Sequence, residues 1–228
     1  FAASLQESRP ILTGVHMVLS EQKEFKAVAT DSHRMSQRKL TLENTSANFN
    51  MVIPSKSLRE FSAVFTDDIE TVEVFFSDSQ VLFRSDYISF YTRLLEGNYP
   101  DTDRLLTNSF ETEVTFNTAA LRSAMERAYL ISNATQNGTV KLEITSDSIS
   151  SHVNSPEVGK VNEELDSISQ SGSDLTISFN PTYLIEALKA LKSETVMIRF
   201  ISPVRPFTLM PGDDTENFVQ LITPVRTN

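Results

Sequence analysis

The chain has 228 residues, no cysteine, and 30 acidic against 20 basic residues, for a formal charge of −10. Without cysteine there is no disulfide framework, thiol nucleophile or thiolate metal site. The acidic balance argues against a general nucleic-acid coat but leaves room for a local basic surface. No apolar run approaches the roughly 20 residues a membrane span needs, and no signal peptide is visible, so the expected compartment is the cytoplasm.

Residues 1–6 read as the end of a helix, stopped at Arg9-Pro10, because proline cannot continue a helix and biases its predecessor to extended geometry. Residues 15–19 and 25–30 alternate as a strand pair around the polar turn 20–23. Asp31-Ser32-His33-Arg34 is a polar loop, residues 35–42 are expected to continue as a strand, and 43–48 form a polar connection. A strand ending at Ile53, a helix over 55–65, and strands over 71–76, 81–84 and 87–93 follow.

Residues 95–107 break every periodicity and carry Gly97 and Pro100, which marks a linker. Beyond it the expected elements are a strand over 112–116, a helix over 117–131 with Asn117 as N-cap, and strands over 139–145 and 148–153. Residues 156–172 are polar and acidic and read as mobile. Then come a strand from Leu175, a helix over 181–193, and strands over 195–200, 207–210 and 218–225.

The stretch 175–200 repeats an earlier one at an offset of 124 positions: Ile177 falls on Ile53, Thr195-Val196 on Thr71-Val72, Ile198 on Val74 and Phe200 on Phe76. Each copy is strand, short amphipathic helix, strand, with Val72, Val74 and Phe76, or Val196, Ile198 and Phe200, on one face. A period this long suits a whole domain rather than a solenoid unit. The expectation is an α+β chain of two tandem domains, residues 1–100 and 101–228. Each would be two β-α-β-β-β units, with helices on one face of antiparallel sheets and part of the first unit missing.

Five segments carry a family resemblance: RPILTG (9–14), VATDSHRM (28–35), LLEGNYPD (94–101), ERAYLISN (126–133) and TPVR (223–226). In order and at fitting spacings on a repeated domain, they make the chain resemble the bacterial DNA sliding clamp family, the beta subunits of DNA polymerase III. It looks like the second and third of that family's three domains.

Catalytic chemistry lacks parts. The three histidines, at 16, 33 and 152, have no paired metal-ligand spacing, and no glycine-rich phosphate loop exists among six glycines. An acid–base cluster at Asp31, Ser32 and His33 would need neighbours on one loop to aim at a common atom. No cofactor or metal is expected.

The resemblance implies a groove that takes short linear peptides carrying Gln and large apolar side chains. Its lining would be Leu12, Thr30, His33, Arg34 and Met35 of the first domain and Pro100 and Leu105 of the linker. Val204, Pro206, Leu221, Thr223, Pro224, Val225 and Arg226 of the second would complete it. By themselves, Leu221 and Val225 read more readily as a strand packing on its own sheet, and it is the resemblance that places them in the groove. Thr223 and Val225 stand where some relatives carry methionine, so the pocket would be less pliable.

Basic residues opposite the apolar stripes of the helices ordinarily make a solvated face. In a ring whose helices line the hole, Gln6, Arg9, Lys56, Arg59, Arg122, Lys189 and Lys192 would face duplex DNA and meet phosphate without reading bases. Glu60, Glu126 and Glu186 dilute those faces, so contact would be weak enough to slide. The family closes its ring head to tail as a homodimer, and Arg127, Leu130, Ile131, Glu163 and Glu164 would be this chain's side of that contact. The implied function is a non-catalytic processivity clamp that tethers polymerase, clamp loader and repair proteins to DNA. A peptide-binding adaptor that never encircles DNA, and a hydrolase built on His33 and Asp31, are the rival readings.

Overall fold

The structure is a computed structural model and describes all residues except 44–47, 67, 108, 134–137, 156–158 and 227–228. The chain divides into two compact units, Phe1–Thr102 and Asp103–Asn228.

In the first unit, a 3-10 turn, Pro10–Thr13, leads into β1 (Gly14–Leu19), β2 (Glu24–Thr30), β3 (Arg34–Thr41) and β4 (Phe49–Pro54). These four lie side by side in the order β3-β2-β1-β4, every pair antiparallel. The β1–β2 turn closes through Lys23, in the left-handed region at φ 65°, whose N–H donates to the Ser20 carbonyl at 3.0 Å. Helix α1 (Ser55–Val64) follows, then β5 (Glu73–Phe76), β6 (Gln80–Arg84) and β7 (Ser89–Arg93), a second antiparallel sheet in that order. No residue of α1 is fully buried; its stripe Leu58 and Phe61, with Phe65 just beyond, packs on Met51, Ile53, Val81 and Phe83. Phe61 is the hub, with ring centroids 4.4 Å from Phe65 and 4.5 Å from Phe83.

Two expectations fail here. Residues 1–6 are not helical. Instead Ala2 and Ala3 are buried beside Ala29 and Val15, and the Ser4 N–H donates to the Leu12 carbonyl at 2.8 Å. The strand expected over 71–76 is shorter, and while Val72 joins the core, Val74 and Phe76 are 42% and 44% exposed. β5 pairs with β6 on one side only, so among the described residues no strand pairs with its other edge.

In the second unit the order is β8 (Thr112–Asn117), α2 (Thr118–Ser132), β9 (Val140–Ile144), β10 (Ile149–Ser155), β11 (Gly159–Glu164), β12 (Ser169–Gly172), β13 (Leu175–Phe179), α3 (Pro181–Ala190), β14 (Thr195–Phe200), β15 (Phe207–Pro211) and β16 (Phe218–Ile222). Within the unit, β12-β8-β14-β15-β16 lie side by side, and β11-β10-β9-β13 form a second sheet. Helices α2 and α3 pack together over one core that includes Phe116, Met125, Phe179, Leu188, Ile198 and Phe207. The unit is twice β-α-β-β-β, as the sequence suggests, with β12 as an additional strand between the two halves and antiparallel pairing throughout.

Asn117 caps α2: its side-chain oxygen accepts the Ala120 N–H at 2.9 Å. β14 has partners on both sides, and its Val196, Ile198 and Phe200 lie in the core that α2 and α3 close, whereas Val74 and Phe76 on β5 stay open. The segment expected to be mobile contains two strands. β11 pairs with β10 and β12 with β8, held by backbone hydrogen bonds that a polar edge strand makes as well as an apolar one. Residues 156–158 of that segment lie outside the described residues. Helix α3 ends at Ala190 with Leu191 extended, so Lys192 falls beyond it, and the last strand stops at Ile222 rather than 225.

Candidate functional site

The loop between β2 and β3 is tied down by its own side chains. Asp31 Oδ1 accepts the backbone N–H groups of His33 (2.9 Å) and Arg34 (3.0 Å), and its Oδ2 accepts Arg34 Nε at 2.9 Å. Thr30 Oγ1 donates to the Arg34 carbonyl at 2.7 Å and accepts the Ser32 N–H at 3.2 Å, with Ser32 left-handed at φ 79°. Arg9 Nη1 donates to Ser32 Oγ at 3.1 Å, and Arg34 Nη2 donates to the Phe1 carbonyl at 3.1 Å.

This geometry disposes of an Asp31–His33 dyad. Both carboxylate oxygens are engaged, and what Asp31 holds of His33 is its main-chain amide, not its ring. Of the five first-unit groove candidates, Leu12, Thr30 and Met35 are buried, the Arg34 side chain is 11% exposed, and His33 alone stands open. Pro100 is exposed as well.

In the second unit the candidates sort the same way. Leu221 is buried in β16, its Cα opposite Thr208. Pro206, Thr223 and Pro224 are half-buried, while Leu105, Val204, Val225 and Arg226 are exposed. The tail leaves β16 extended and is fastened by the Val225 N–H, which donates to the Ser178 carbonyl of β13 at 2.7 Å. Two polar cavities lie elsewhere. One of about 530 Å³ runs along the β9–β10 turn and residues 164–172, the other of about 730 Å³ along Asp68, Glu70, Glu73, Arg84 and Tyr87. Neither contains a groove candidate, and sequence reasoning had pointed to neither.

The basic residues divide by direction. Lys56 and Arg59 are exposed on α1. On α2, Arg122 turns towards α3: Glu126, one helical turn on, lies 4.0 Å from Arg122 Nε and 3.2 Å from Lys189 Nζ of α3. Arg127 turns to the other side and binds both carboxylate oxygens of Glu163 on β11, which holds the guanidinium pKa above its ordinary value. Gln6, Arg9 and Lys192 are exposed. At the end of α2, Leu130 is 71% exposed, whereas Ile131, also placed in the ring contact from sequence, is half-buried and packs against the core. Glu164, exposed, closes β11 opposite Ser150.

Tyr99 escaped sequence reasoning. Its hydroxyl accepts the Thr30 N–H at 3.1 Å, its ring stacks on His16 at 4.8 Å, and burial pushes its pKa up to about 12. Tyrosine in a linker carries no local signal for this contact, since the partner lies 69 residues away in sequence.

Two family models match nearly the whole chain: "DNA polymerase III beta subunit, central domain" over residues 1–101 and "DNA polymerase III beta subunit, C-terminal domain" over 103–226. The chain is 72% identical over 228 residues to the beta sliding clamp of Streptococcus pneumoniae and 56% identical over 230 residues to that of Lactococcus lactis, covering 100% of this chain and 60% of each relative. Among solved structures it is similar to the beta subunit from the DNA polymerase of Streptococcus pyogenes (82% identity, TM-score 0.97, 61% of that chain). The DNA polymerase sliding clamp of Bacillus subtilis follows at 42% identity and a TM-score of 0.93, with 60% of that chain covered. The chain thus spans about 60% of the length of the curated relatives it matches.

Proposed function

The chain belongs to the DNA polymerase III beta subunit family, and from that premise we propose that it is the greater part of a processivity clamp: a non-catalytic ring subunit that encircles duplex DNA and tethers polymerase to it. The observation that carries this reading is the exposure of basic side chains on α1, α2 and α3 of a chain whose net charge is −10. Lys56 and Arg59 on α1, Arg122 on α2 and Lys189 on α3 supply contacts to phosphate without base readout, and the acidic remainder disfavours a tight grip. Topology rather than affinity then keeps the protein on DNA, in the bacterial cytoplasm.

Partner proteins, among them polymerase, clamp loader and repair factors, would dock by short linear peptides. In the second unit the receiving surface is Leu105, Val204, Pro206 and the extended tail through Arg226, where exposed apolar groups supply affinity and a fixed backbone supplies shape. In the first unit it is the preorganised loop that presents His33. Ring closure would pair the Arg127, Leu130, Glu163 and Glu164 edge with the part of the relatives' length that lies outside this chain.

The test is retention. Full-length protein loaded on nicked circular duplex should stay bound through gel filtration at high salt and leave when the circle is linearised. A protein that binds partner peptides but shows no difference between circle and linear duplex would be an adaptor instead.

A further inference from the structure

We propose that Glu126 is an internal competitor for DNA phosphate: it holds Arg122 and Lys189 part-neutralised, and so sets how weakly the second unit touches the duplex. The inference rests on the reading that these two cations face DNA.

Glu126 sits one helical turn after Arg122 on α2, where side chains at i and i+4 share a face. The same carboxylate oxygen, Oε1, is 3.2 Å from Lys189 Nζ on α3 and 4.0 Å from Arg122 Nε. One anion therefore serves two cations contributed by two helices. The pairing is loose on the arginine side. At 4.0 Å it is not a hydrogen bond, and among the described residues no other acceptor reaches Arg122 Nε. Lys189 and Arg122 stay open to solvent, at 56% and 43% side-chain exposure, and Glu126 is equally open at 43%. An exposed pair of this kind adds little to folding, so its presence is poorly explained by stability.

The group is arranged as a phosphate site already holding a carboxylate. A phosphate arriving at Arg122 and Lys189 meets two cations that already share a carboxylate, and must share or displace Glu126. Arg127 shows the contrast on the same helix: its guanidinium takes both oxygens of Glu163 and faces β11, away from this cluster. Two cations sharing one carboxylate give a contact that forms and breaks without holding register, which is what sliding requires.

The experiment titrates a fluorescein-labelled duplex of about 30 base pairs with the 228-residue chain by anisotropy, from about 20 to 150 mM salt. Glu126→Gln keeps the shape of the side chain and removes its charge, and Glu216→Gln makes the same charge change on the exposed turn between β15 and β16. Expected is a 3- to 10-fold tighter affinity for Glu126→Gln at the low-salt end, a log K against log salt slope steeper by about one, and less than 2-fold change for Glu216→Gln. Glu126→Gln binding no tighter than Glu216→Gln overturns the proposal. The double variant Arg122→Ala/Lys189→Ala separates the two levels. If it weakens binding while Glu126→Gln gains nothing, the DNA-facing assignment stands and the role of Glu126 falls. If neither the double variant nor Glu126→Gln departs from the parent chain, or no variant binds, both fall.

Discussion

The Tyr99 hydroxyl accepts the backbone N–H of Thr30 at 3.1 Å. Thr30 is the last residue of β2, past the point where β1 pairs with it, since that register runs only to His16 opposite Val28. A linker side chain thus replaces the ladder partner that β1 does not supply, and it does so at the root of the loop that presents His33. The ring stack on His16, itself bonded through Nε2 to Asn50 Oδ1 at 2.8 Å, fixes the tyrosine from the other side.

Tyr99 gives a pH prediction. Burial raises its pKa to about 12 against an ordinary 10.0, so folding favours the neutral phenol. That contribution is complete below pH 10 and is lost as pH rises towards 12; at pH 11 the loss is about 1.4 kcal/mol, at 1.36 kcal/mol per unit. Other groups titrate in the same range, so the comparison is with Tyr99→Phe. Urea unfolding of the two proteins from pH 9 to 11.5 should show the parent losing stability faster by about that amount. Parallel profiles would mean the phenol is not desolvated in the folded chain.

The tail offers a second prediction. Removing residues 224–228 takes away exposed Val225 and Arg226 and one fixed backbone bond, to Ser178. The fold should lose only about 1 kcal/mol, the worth of such a bond. Binding of a Gln-Leu-type pentapeptide, followed by calorimetry, should disappear. Undiminished affinity after the deletion would remove the tail from the docking surface.

The parts of this molecule legible in the sequence are those decided by local chemistry. Asn117 announces a cap because the oxygen it offers and the N–H it satisfies are three residues apart. The repeat was readable because Ile53 and Ile177 both sit on buried strand faces, 1% exposed each. What failed depended on neighbours. Phe76 and Phe200 share one position in the repeat, yet one is 44% exposed and the other 1%, because Phe200 faces the core built with α2 and α3 while Phe76 is only partly covered, by Phe49. Strand β12, Ser169–Gly172, has no apolar residue to declare it and exists because β8 offers it a backbone ladder. The site followed the same rule. The basic residues were readable one by one, but the sharing of Glu126 by Arg122 and Lys189 needed α2 and α3 to be packed together.

A third prediction concerns the step from β12 to β13. Gly172 has φ +102°, and a Cβ there would lie 2.0 Å from the Glu111 carbonyl oxygen and 2.7 Å from Thr112 Cα. This close approach lets the Ser173 N–H reach the same Glu111 carbonyl at 3.2 Å while the chain passes from one sheet to the other. Neither contact can yield, because both are backbone. Gly172→Ala should cost at least about 3 kcal/mol, from left-handed strain together with the clash. A denaturant midpoint unchanged by the substitution would show that β12 pairs with β8 without this approach.

The last prediction separates two adjacent residues at the end of α2. Leu130 is 71% exposed, whereas Ile131 packs on the second-unit core. In the 228-residue chain, Leu130→Ala should leave stability within about 0.5 kcal/mol, as surface changes do. Ile131→Ala should cost about 1–2 kcal/mol, less than a fully buried isoleucine because part of it is already in water. Their roles then reverse in a full-length protein that closes a ring. There Leu130 is the group with apolar surface left to bury, worth about 1.5–3 kcal/mol if covered completely. Leu130→Ala should therefore shift full-length dimer towards monomer in sedimentation velocity at unchanged unfolding midpoint. Ile131→Ala should lower the midpoint first. A full-length dimer indifferent to Leu130→Ala would place the ring contact on another edge of the unit, and an unfolding cost as large for Leu130 as for Ile131 would contradict the exposure on which the assignment stands.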